Sequence, residues 1–158
     1  MGRHETVERR PPSHAVIAGE MIRLFGERDL DVLAPHIQLV VCRAPSAERL
    51  YLEVLSWLVE RIVDTAQWRI GPLSDDEGYV LDVRRGEGAP VGPGELPVVW
   101  DHVLNAVRSY LVGDDRAAHM YLTHVERSGA SERIEALTGV LTWLDALLVS
   151  PSSSPPQR

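Results

Sequence analysis

A chain of 158 residues sets a single domain as the expectation and is long enough to bury a core without disulfide or metal staples. It is 44% hydrophobic and 25% charged, as globular proteins are, and its net charge of −7 opposes non-specific contact with phosphate backbones. It contains no lysine, which excludes a Schiff-base, Walker or general-base lysine, and its single cysteine, Cys42, excludes an internal disulfide framework.

Arginine without lysine, a single asparagine and plentiful Ala, Gly, Pro and Val follow GC-rich codons, so a bacterial source is expected. No apolar run approaches the roughly 18 residues of a membrane span, and the N-terminus lacks the apolar core of a signal peptide. A cytoplasmic protein without a membrane partner is the resulting expectation.

In chain order, residues 1–13 are polar, include Pro11-Pro12 and read as a flexible N-terminal arm. Ile17, Met21 and Leu24 recur at helical spacing, with Ser13 before them and Gly26 after. A second helix is expected over roughly 29–43, with Asp29 as its cap and Pro35 as a start, kink or break. Within it, "IQLVVC" is compatible with strand or helix; helix is preferred, and Cys42 is expected to be a buried small hydrophobe. The third pattern is the strongest. Leu50, Val54, Trp57, Leu58 and Ile62 line one face, and Tyr51, Leu55, Val59 and Val63 widen it, so this helix is either central or meets a partner.

The middle of the chain differs. Alternation in "YVLDVRR" predicts a small β-hairpin near residues 68–85, followed by a Gly/Pro-rich loop that closes a connecting segment over 68–97. Helices resume at Pro97, then at Asp114 as a cap, then at Ser131, with inward stripes that include Val103, Leu122, Val125, Ile134, Val140 and Leu148. Residues 150–158 read as a flexible tail. The fold class expected is mainly α: one bundle of five or six helices over 14–149, with halves at 14–67 and 98–149.

Two five-residue words recur. "VLSWL" at 54–58 and "VLTWL" at 140–144 are 86 apart, whereas the "ER" pairs just before them are 84 apart. Two residues inserted within a helix rotate everything beyond by roughly 200°, so both alignments cannot hold in one helix. A degenerate internal duplication is one reading; two amphipathic helices of similar make-up is the other.

No residue set with catalytic, cofactor-binding or metal-ligating spacing is found, so no cofactor is expected. Asp115, His119, Thr123 and Glu126 share a helix face that reads as solvated surface. "SDDEG" at 74–78 lacks the spacing of a calcium loop, and Pro90 and Pro93 argue against a phosphate cradle. Trp57 and Trp143 are candidate interface anchors, and His124, Tyr121 and His102 are candidate pocket residues. Function is therefore expected to be protein–protein interaction or regulation without catalysis, with a homodimer as the natural partner state and no nucleic acid. The alternative is a small-molecule-binding or enzymatic domain with a pocket near His124 and Tyr121.

Overall fold

In the computed structural model the described residues are 13–42, 49–71, 73–74, 76–78, 91 and 94–149, and among them there are six α-helices. All but the last residue of the expected arm, and the whole of the expected tail, lie outside them. The helices are α1 (Ser13–Gly26), α2 (Leu30–Cys42), α3 (Leu50–Ile70), α4 (Val98–Leu111), α5 (Asp115–Glu126) and α6 (Ala130–Val149). None of them is long and apolar enough to cross a membrane.

The wide apolar sector of α3 places it at the centre, beside α6. Leu50, Val54, Leu55, Leu58, Val59 and Ile62 are all buried, and so are Leu137, Val140, Leu141 and Leu144 of α6. The two helices run in the same direction. Near their starts the Tyr51 hydroxyl donates to the carbonyl of Arg133 at 2.8 Å, and near their ends Leu148 shares a groove with Thr65 and Trp68. Helices α1 and α2 pack together and each touches both central helices, as α4 and α5 do; among the described residues the two outer pairs do not touch each other. The result is three layers, with the central pair covered on both sides.

The two halves correspond in backbone detail. At the first turn Glu27 N donates to Arg23 O, Arg28 N to Phe25 O and Asp29 N to Leu24 O. Exactly the same ladder, 85 residues on, joins Val112 to Arg108, Gly113 to Tyr110 and Asp114 to Ser109. Arg28 and Gly113, the residues at matching places, both have positive φ, 61° and 78°. Asp29 and Asp114 then cap the next helix through their side chains, accepting from Val32 N and Ala117 N. Exchanging α1, α2 and α3 for α4, α5 and α6 maps every touching pair of helices onto another touching pair.

In α3 and α6 the matching offset is 86: Tyr51 with Leu137, Val54 with Val140, Leu55 with Leu141 and Leu58 with Leu144 are all buried. An offset of 84 pairs buried Leu50 with exposed Ile134. The change from 85 to 86 falls in the connection before the third helix of each half, so no helix has to absorb an insertion.

Several expectations are corrected. The hairpin is not found: Trp68, Arg69 and Ile70 form the last turn of α3, and no strand occurs among the described residues. Once nucleated, a helix extends at low cost until a breaker arrives. That breaker is Gly71, which adopts φ 80° and donates its N–H to Gln67 O. The alternating stretch 79–85 lies outside the described residues. Residues 37–42 are helical, and α2 passes through Pro35. Cys42 is exposed, because it lies one residue, and so about 100°, beyond the buried pair Val40 and Val41. The expected cap Ser46 also lies outside the described residues; α3 begins at Leu50, after Arg49 at φ 49°.

Candidate binding surfaces

The polar face of α3 forms one wall of a cleft of about 350 Å3, closed by the start of α1, the end of α4 and the middle of α5. Glu53, Ser56, Trp57 and Glu60 come from α3, and Tyr110 and His119 face them. His14 Nδ1 lies 3.0 Å from a Glu53 carboxylate oxygen. Burial and the nearby Glu60 carboxylate push the Tyr110 hydroxyl up to about 12. His119, expected on solvated surface, is exposed and belongs to this cleft.

The expected pocket residues do come together, at a different place. The rings of His102 on α4 and His124 on α5 stack at 5.1 Å, and Tyr121 lies 6.2 Å from His102. This is the contact of two neighbouring helices: His124 is exposed, and none of the three lines the polar cleft. Burial and then His124 hold the His102 pKa below the ordinary imidazole value, against a smaller opposing pull from Asp101. A histidine depressed in the folded state leaves stability intact above its unfolded value of 6.5 and lowers it as pH falls through the folded value. Thermal melts are therefore expected to show a Tm loss between about pH 7.5 and about pH 5.5 that is smaller in His102→Gln. An identical loss in the variant would show that carboxylates alone set the acid limb.

Beneath the cleft is a buried polar network that the amphipathic pattern does not reveal. Glu126 was expected on the solvated face of α5 but is only 3% exposed, because its carboxylate accepts from the Arg49 guanidinium at 2.9 Å. The buried Arg133 guanidinium donates to the carbonyls of Val41, in the last turn of α2, and of Ser128, two residues past the end of α5. The Val41 carbonyl has no partner within its own helix, and a cation near the two helix ends also opposes the negative end of each helix dipole.

The candidate anchors Trp57 and Trp143 occupy equivalent, half-buried positions against the core, with the Arg61 guanidinium 5.0 Å above the Trp57 ring. The exposed tryptophan is Trp68, at 78%. It stands with Ile70, Leu148 and Val149, all exposed, where α3 and α6 end. A groove of about 400 Å3 crosses this end, lined by Arg61, Asp64, Thr65, Trp68 and Leu148 among others. The one available sign in the sequence was helical spacing, since Thr65 and Trp68 continue the α3 register; the hairpin reading hid it. Among the described residues no group of three or more His, Cys, Asp or Glu side chains is placed to hold a metal ion. No protein-family model, curated protein or solved structure matches this chain.

Proposed function

We propose that this chain is a non-enzymatic bacterial interaction or regulatory protein that associates with a second copy of itself through the end of the α3–α6 pair. The observation that carries this reading is Trp68, a large aromatic side chain left 78% exposed beside Ile70, Leu148 and Val149. Exposed apolar surface at a helix end is a place where interaction sites form, and tryptophan is strongly enriched as an anchor. Arg61 and Asp64, ion-paired with each other at 2.7 Å, border the groove, and a two-fold pairing can set each against the unlike charge of the other copy.

The correspondence of the two halves supports the same reading. We infer a degenerate internal duplication of a three-helix unit. Such a unit leaves one face of its third helix open and covers it only by meeting another copy, as α3 meets α6 within this chain. Association through apolar helix faces is then the way the architecture itself is built.

Light scattering on the full chain is expected to give the mass of a dimer at micromolar concentration. Trp68→Ser is expected to weaken that dimer by about thirtyfold, the factor for a hot spot of roughly 2 kcal/mol. A monomer at every concentration would sink the proposal, as would a dimer indifferent to Trp68→Ser.

A further inference from the structure

We propose that the polar cleft beside α3 binds a small, flat organic cation, such as a protonated aromatic amidine or amine. It is independent of self-association at Trp68 and starts from a break in the correspondence between the halves. In the second half, Trp100 of α4 lies on Gly139 of α6 so closely that a Cβ built at Gly139 would sit 1.8 Å from the indole. The matching residues of the first half are Ala15, 85 positions before Trp100, and Glu53, 86 positions before Gly139. The indole has become a methyl group, and the hydrogen beneath it has become a carboxylate side chain. Between α1 and α3 no ring stands at the matching place; His14 and Glu53 pair there at 3.0 Å, and both line the cleft of about 350 Å3.

Three properties of the cleft select the ligand. Its volume falls within the roughly 300–1,000 Å3 of small-molecule sites. Its charge comes from Glu53 and Glu60, because the guanidinium of Arg49 at its edge is bound to the buried Glu126 carboxylate. Its aromatic lining residues are Tyr110 and Trp57, and the Trp57 ring already carries one flat cation, the Arg61 guanidinium at 5.0 Å, so cation–π contact is a pairing this wall makes. Flatness is selected by the twin site, where an indole is what fits.

Benzamidine is the probe, with benzamide as its neutral counterpart, each titrated into the full chain and followed by amide NMR shifts. Benzamidine is expected to bind saturably with a Kd on the order of 1 mM or tighter. Shifts should centre on Glu53, Trp57, Glu60 and Tyr110. Benzamide is expected to bind about tenfold more weakly, and Glu60→Gln to weaken benzamidine by about the same factor. The double variant Ala15→Trp, Glu53→Gly supplies the missing ring and clears the space for it, so it is expected to lose benzamidine binding and to melt at a higher temperature. Should that variant not fold, Glu60→Gln decides the matter alone. Absence of saturable binding, equal binding of the amide, or benzamidine binding unchanged by Glu60→Gln overturns the proposal.

Discussion

Gly139→Ala is expected to lower the stability of this protein by about 2–3 kcal/mol, although alanine is the better helix former. The two effects have opposite signs. Alanine gains up to about 1 kcal/mol of helix propensity over glycine in a helix interior. Against that, the new methyl carbon would stand 1.8 Å from one indole carbon of Trp100 and 2.4 Å from a second, far inside van der Waals contact. Trp100 packs against the core and cannot swing away as the tip of a long surface side chain would. Either α4 moves off α6 or the ring leaves its rotamer, and overpacking of this kind costs about 1–3 kcal/mol, occasionally more. For a chain of this length that corresponds to a Tm lower by roughly 5–10 °C. Circular-dichroism melts of Gly139→Ala, Trp100→Leu and the pair would check it. The pair should be less destabilised than the sum of its members, because the smaller side chain removes the clash. A rise in Tm for Gly139→Ala would show that helix propensity wins and that the close approach is not constraining.

Arg133→Met is expected to cost about 3 kcal/mol in urea unfolding, with Arg133→Lys recovering little of it. Buried charges are often replaced by apolar residues at no loss, so the direction has to be decided from the partners. Here the guanidinium is bonded to backbone carbonyls, those of Ser128 and Val41. Substituting the arginine cannot remove those acceptors. It orphans the Val41 carbonyl inside the protein and leaves the half-buried Ser128 carbonyl short of its partner, and an unsatisfied buried group costs about 1–3 kcal/mol. A lysine ammonium carries the charge, but it lacks the planar fork that spans two separated carbonyls. Wild-type stability in Arg133→Met would show that water reaches both helix ends.

The two positions differ in how far they can be read without the fold. Gly139 stands in an otherwise apolar helical run, and nothing nearby indicates that Trp100, 39 residues earlier, lies against it. Arg133 lies in the first turn of α6, where a basic residue is unfavourable for that helix's own dipole; its reason for being there is 92 residues away, at Val41. Glu126 misleads in the same way. It shares a face with Asp115 and His119, and only the partner Arg49, 77 residues distant, lets its carboxylate be buried.

Local patterning by itself determined the helices. Apolar spacing of three and four residues marks five or six of them, the width of the apolar sector marks α3 as central or as meeting a partner, and Asp29 and Asp114 mark the starts of α2 and α5. These features depend on residues three or four apart, and such residues meet on any helix surface regardless of what lies beyond it. The recurrence of "VLSWL" as "VLTWL" belongs to the same level: its 86-residue spacing matches the buried registers of α3 and α6. The tertiary structure alone decided which apolar groups are left over and which polar ones are enclosed. Trp68 is exposed at the end of α3, the polar cleft is assembled from α1, α3, α4 and α5, and Glu126 is buried because Arg49 reaches it. Burial is a property of everything that arrives at a point in space, and a linear pattern records only what each helix presents.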